Sequence, residues 1–252
     1  MKKLLISLLF IAVTCFSVNV YAGIGVTPAR GELVIEKEQT YEGFYTLESD
    51  FDSPIDVAIT VATWNNSPEN KDVDINDWFS LPLKSIRLDA GEKAEIKYFV
   101  KSGNYKGSLS AMISFTHKSP GHQGISLMTS IPFYLTIDGT QNIDFDISSM
   151  RVEKEPRMTN YTVAYLVYNA GNIPVRVKGD LKVMKGKKII VSHRIREQSP
   201  VYAGLNRAFY ESLQSLPKGK YKLNISLNAL GKTVEKSIQI RVNKYGDIAY
   251  SK

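Results

Sequence analysis

Cysteine is almost missing from this chain. The 252 residues hold one, Cys15, and it lies inside an N-terminal apolar run with Thr14 before it rather than the small residue a lipidation site wants. Lys2 and Lys3 precede that run, residues 4–13 supply it, and Val20-Tyr21-Ala22 places small residues before a cleavage point. The pattern is that of a secretory signal peptide over residues 1–22, cut after Ala22. Once it is removed no cysteine remains, which excludes disulfides, thiolate catalysis and cysteine-bound metals. The apolar run is too short to span a bilayer, and no second run of spanning length follows. An exported protein is expected, in a bacterial periplasm or alternatively at the cell surface, with no transmembrane segment after cleavage.

Histidine is scarce as well. His117, His122 and His193 are the three present. The first two flank one turn without a third ligand, so they read as exposed turn residues and no metal is expected. The run Asp72-Val73-Asp74-Ile75-Asn76-Asp77 imitates the start of a calcium loop. It then has Asp77 where a glycine must turn and Leu83 where a bidentate glutamate should stand. No nucleophile elbow, phosphate loop, zinc-protease or dinucleotide fingerprint occurs. No catalytic residue and no cofactor is expected, and binding is favoured over turnover. Charge of one sign is not in great excess: without Lys2 and Lys3 there are 30 basic against 25 acidic residues, a balance of +5. That balance reads as mild and spread along the chain, with the KGKK run at 185–188 as a solvated hairpin turn, so no nucleic-acid partner is expected.

Amphipathic helices are missing too; what fills the chain is alternation. Segments at 24–36, 40–48, 55–64, 78–88, 93–101, 107–117 and 125–137 carry strand patterning between turn signals. The first is interrupted by Pro28 and Gly31, which suggests a kinked strand that changes sheets. The region of Val61 and Trp64 is placed to supply a core tryptophan. A second set follows at 143–152, 161–168, 173–183, 188–194, 207–212, 219–227 and 233–242. Asn169-Ala170-Gly171-Asn172 reads as a hairpin turn with positive φ. The fold class expected is all-β: two tandem immunoglobulin-like β-sandwiches, residues 23–140 and 141–252, joined without a long Gly/Ser linker.

The segment at 125–137, ISLMTSIPFYLTI, stands out for its length. Ile125, Leu127, Ile131 and Phe133 share one face at a period of two. Pro132 has no N–H to give a ladder, so it belongs on an edge or at a bulge. Two readings are open: an edge strand that lends its apolar row to another protein, or the last core strand of the first sandwich.

Several local motifs then point one way. Thr27-Pro28-Ala29-Arg30 near the processed N-terminus, the turn running from Ile86-Arg87-Leu88-Asp89 into Ala90-Gly91-Glu92, the strand at 107–115 and the long strand at 125–137 together resemble the periplasmic pilus-assembly chaperones, the PapD-like family of immunoglobulin fold. The resemblance covers most of the processed chain as a layout, through short motifs. It implies a chaperone that completes small β-rich, pilin-like subunits by β-strand addition, with Ile125, Leu127, Ile131 and Phe133 filling the subunit's groove. It also implies that Arg30 holds the subunit's C-terminal carboxylate as one of a basic pair. The second member of that pair does not carry over, because its position on the long strand is Pro132. Lys154, Arg157 or another basic residue would have to fill in. The second half carries a competing likeness. Segments 167–175 and 216–221 resemble immunoglobulin-like modules of bacterial surface and cell-wall proteins, which implies a structural or adhesive module.

Overall fold

The structure, a computed structural model, describes residues 23–118, 124–154 and 160–250. The signal segment with Cys15, and also His122 and Arg157, lie outside them. Among the described residues no helix is long and apolar enough to cross a membrane. Strands dominate. In the first half they are β1 Ile24–Thr27, β2 Gly31–Ile35, β3 Thr40–Ser49, β4 Ile55–Thr63, β5 Phe79–Ser80, β6 Ser85–Leu88, β7 Lys93–Lys101, β8 Ser108–Lys118 and β9 Ser126–Ile137. In the second they are β10 Phe145–Lys154, β11 Tyr161–Asn169, β12 Lys178–Lys185, β13 Lys188–Ile195, β14 Asn206–Leu213, β15 Gly219–Ala229, β16 Lys232–Val242 and β17 Ile248–Tyr250.

These strands make two β-sandwiches. In the first, the sheet β1-β3-β7-β5 faces the sheet β2-β9-β8-β4-β6. In the second, β10-β11-β14 faces β13-β12-β15-β16-β17. Alternation dictates the cores. On β4, Ile55, Val57 and Ile59 point inward between exposed Asp56, Ala58 and Thr60; on β15, Tyr221, Leu223, Ile225, Leu227 and Ala229 do the same. Each fully buried Leu, Ile or Phe contributes roughly 1.5–3 kcal/mol of hydrophobic stabilisation, and each sandwich closes around its own cluster of such residues.

The kinked first strand changes sheets as its sequence suggests. β1 pairs antiparallel with β3; after a cis Thr27–Pro28 bond the chain bends, and β2 pairs parallel with β9. The core tryptophan is not where the pattern put it. Trp78 is 2% exposed and packs on Phe79 and Phe133, whereas Trp64 is 40% exposed. Trp64 follows the last paired residue of β4, where the alternation carries its ring to the outer surface. His117 is likewise buried rather than exposed, its ring edge-on to Phe51 and its Nδ1 3.1 Å from the Lys118 carbonyl oxygen. Asp74 acts as a cap: its Oδ1 accepts from the Asn76 backbone N–H at 2.7 Å.

The Asn169–Asn172 turn is not a hairpin, and Gly171 does not take positive φ. It joins the sandwiches instead. The Asn172 carbonyl accepts from Ser108 N at 3.1 Å, Asn172 Oδ1 accepts from Asn142 N at 2.7 Å, and Asn172 Nδ2 donates to the Thr140 carbonyl at 3.0 Å. Gly107 lies directly against Asn172 with φ of +68°, where a side chain would be strained and would run into Asn172. Asparagine with both amide groups engaged makes a compact polar rivet, the requirement for backbone that is covered by a neighbouring unit.

Candidate functional site

β9 is the strand on which the expected site rests. Along its whole length it pairs antiparallel with β8, from Lys118↔Ser126 to Ser108↔Thr136. On its other side β2 covers only Phe133 to Ile137. Pro132 stands where that cover begins. Among the described residues, Ser126 to Pro132 therefore has one neighbouring strand and one free edge. Sheet edges bear unpaired N–H and C=O groups, and these are templates for another strand.

The apolar row divides at the same point. Ile131 and Phe133 are 5% and 1% exposed, sealed in the core of this chain's own first sandwich. Phe133 contacts the rings of Trp78, Phe79 and Tyr98. The alternating pattern left the strand open as a partner's edge or as a core strand, and the resemblance gave all four residues to a partner. The structure packs Ile131 and Phe133 in this chain's own core, because the other sheet lies beneath this half of β9. Ile125 and Leu127 are 48% and 43% exposed, and Met128 on the opposite face is exposed too. Period two fixes which residues share a face but not where the opposing sheet ends.

Gly31 explains why β2 can lie so close to β9. It is buried opposite Phe133, and a Cβ there would run into the Phe133 ring and the Tyr45 hydroxyl. The chain then turns Arg30 and Glu32 into a cleft of about 760 Å³ between the sandwiches, lined also by Val34, Tyr134, Thr136 and Arg176. Arg30 Nε lies 2.8 Å from Glu32 Oε1, and Arg176 Nε lies 3.5 Å from the same oxygen. Two guanidinium groups thus share one carboxylate. Arg176 also covers the Tyr134 ring at 5.4 Å from its centroid. Behind it the Tyr134 and Tyr202 hydroxyls are 3.0 Å apart, and Trp64 Nε1 donates to Tyr202 at 2.8 Å. Burial, then the Tyr202 hydrogen bond, push the Tyr134 hydroxyl up to about 12.

Arg30 therefore lies at the cleft, engaged by Glu32. The cation that meets Arg30 across the cleft is Arg176, from the second sandwich, with Lys178 and Glu197 also in the lining. Lys154 does not fill that position: it donates to the Tyr245 carbonyl at 2.8 Å and lies 3.4 Å from Asp247. No local motif marks Arg176, because its place depends on how two sandwiches meet. Among the described residues no three His, Cys, Asp or Glu side chains gather as a metal site.

No family model and no curated relative matches the chain. Among solved structures it is similar to the class 5 fimbriae chaperone CfaA, at 16% identity and a TM-score of 0.48, over 85% of this chain and 98% of that one. It is similar to a chain of the CsuC–CsuE chaperone–tip adhesion subunit pre-assembly complex of Acinetobacter baumannii, at 13% identity and a TM-score of 0.48, over 86% and 98%. It is also similar to the YadV chaperone, at 13% identity and a TM-score of 0.43, over 86% and 98%. These are loose likenesses of layout that run through both sandwiches.

Proposed function

We propose that the protein is a periplasmic, non-enzymatic assembly chaperone that takes a small β-rich subunit by strand addition along the free edge of β9. The observation that carries this reading is an edge left open and undefended. Natural edge strands are protected by lysine, by inward charges or by cover. Here no charged residue occurs from Ser119 to Ile137, and among the described residues Ser126 to Pro132 of β9 has a neighbour on one side only.

The client's strand supplies main-chain hydrogen bonds to this edge, which give affinity without regard to side chains. Leu127 and Ile125 enter the client's apolar trough and set its register. Ile131 and Phe133 contribute by fixing the inner half of β9 rigidly in the core, so that the outer half is presented without an ordering cost. At the cleft end, the client's terminal carboxylate replaces Glu32 between Arg30 and Arg176 in charge-assisted hydrogen bonds. Glu32 keeps the two cations from facing each other uncompensated while no client is bound.

Pull-down from periplasm tests this reading, with the unaltered protein compared with Leu127→Asp and Ile125→Asp. A small β-rich subunit is expected with the unaltered protein and is lost from both variants, whose circular dichroism stays unchanged. A partner retained in full by both folded variants contradicts it.

A further inference from the structure

The charge of this chain, mild in sum, is divided sharply between its halves. Residues 23–140 hold ten lysines and arginines against sixteen aspartates and glutamates, a balance of −6. Residues 141–252 hold twenty against nine, a balance of +11. The expectation of charge spread evenly along the chain is corrected by that division. Such asymmetry between halves points to an anionic partner for one of them.

The strand register shows where the excess gathers. β12 pairs with β15 from Lys178↔Asn228 at one end to Met184↔Lys222 at the other. Lys178 and Asn228 line the interdomain cleft, so Lys222 lies toward the far pole of the second sandwich. There β15 and β16 set Lys220 directly opposite Arg241, both exposed on the outer face of the sheet. Like charges placed directly across two strands destabilise a sheet, and a local rule broken without local gain is the mark of a functional surface. The same pole receives the β12–β13 turn with Lys187 and Lys188, and Lys218 and Lys244 at the ends of β15 and β16. A few cations of this sandwich are paired: Arg151 with Glu153, Lys232 with Asp144 and, at this pole, Lys154 with Asp247, the one acid of the turn that carries Lys244 and Tyr245. Among the described residues, none of Lys187, Lys188, Lys220, Lys222, Arg241 and Lys244 makes an ion pair.

We infer that this pole docks on the surface of an anionic phospholipid bilayer. Three features favour a membrane over a folded acidic partner or a nucleic acid. The cations are nearly all lysine, point charges suited to a fluid array of phosphates rather than to bidentate recognition. They lie on a sheet face and its turns and not around a pocket. And amphipathic and apolar side chains stand among them: Tyr245, 68% exposed with Lys244 over its ring at 4.8 Å, and exposed Ile189 beside the Lys187–Lys188 turn. Aromatic rings and lysine stems of this kind settle at the headgroup level. The open edge of β9 belongs to the other sandwich, so docking leaves it free.

Co-sedimentation of the purified protein with vesicles tests the inference. One set is phosphatidylcholine alone and the other phosphatidylcholine with phosphatidylglycerol, each at low and high salt. Binding is expected to the anionic vesicles only, and is lost at high salt as screening shortens the reach of each charge. Each lysine near an anionic surface is worth about a fivefold change in affinity. Lys220→Glu with Lys222→Glu therefore weakens binding by at least about 25-fold, and Lys187→Glu with Lys188→Glu does the same from a turn that carries no packing. Equal binding to neutral vesicles, no binding to anionic ones, or binding unchanged in both variants overturns the proposal. So does a salt-sensitive sedimentation shift without vesicles that these substitutions abolish, since that outcome assigns the pole to the acidic half of a second copy.

Discussion

Arg176 of the second sandwich and Arg30 of the first reach the same carboxylate oxygen, Glu32 Oε1, at 3.5 and 2.8 Å. With Lys178 and Glu197 in the same lining, three cations face two acids, and the cleft is short of a negative charge. In the account given above, a partner's carboxylate makes up that shortage.

Arg30→Ala is expected to weaken capture of the partner subunit by about 10–100-fold, the range for loss of hydrogen bonds to a charged group. Glu32→Gln is expected to strengthen it, since the competing carboxylate is gone. Both pairs are partly exposed, so folding stability should change by less than about 1 kcal/mol in either variant. Titration calorimetry with the purified subunit, alongside urea denaturation, reads both quantities.

The two halves of the β9 row should respond in opposite ways. Phe133→Ala removes a ring from a packed aromatic cluster and is expected to cost about 3–5 kcal/mol. Ile131→Asp places a charge in the core, which belongs to the most damaging kind of substitution, above about 4 kcal/mol. Leu127→Asp, at an exposed position, should cost less than about 1 kcal/mol. Chemical denaturation of the three variants checks the order. Ile131→Asp is consequently a poor probe of partner binding, because it disturbs the sandwich itself.

Gly31→Ala should be costly although it adds a single methyl group. The Phe133 ring and Tyr45 hydroxyl occupy the space the Cβ needs, and overpacking of this kind costs about 1–3 kcal/mol. The lower midpoint should come with faster amide exchange in β2, whose ladder with β9 begins at this residue.

Stability should fall at alkaline pH through Tyr134. Burial raises its hydroxyl to about 12 in the folded state, above the usual tyrosine value of 10.0. The folded state thus holds the proton more tightly than the unfolded one. The contribution is fully present below pH 10 and is lost as pH rises toward 12. Denaturation midpoints measured from pH 9 to about pH 12 should drop less steeply in Tyr134→Phe than in the unaltered protein.

The sequence carried the architecture well, because alternation at period two is a local property that each strand states for itself. Pro28 and Gly31 even marked the strand that leaves one sheet for the other. What was not legible depended on neighbours distant in sequence. Trp64 and Trp78 both follow plausible strand patterns, and only the fold decides that Trp78 is inside. Ile131 and Leu127 share one face of one strand, yet the end of the opposing sheet puts them in different environments. Arg176 has no motif around it, and its meeting with Glu32 depends on how the two sandwiches join. The cationic pole needed strand register to appear, since Lys220 and Arg241 are far apart along the chain and adjacent across two strands.

Hydrogen exchange over residues 126–131, compared between the free protein and its complex with the captured subunit, tests the central claim most directly. In the free protein the amides facing away from β8 should exchange rapidly. In the complex they should become protected, while protection elsewhere in the sheet stays as it was. Exchange in this stretch that is unchanged by the subunit, with new protection on another surface, would contradict strand addition at β9.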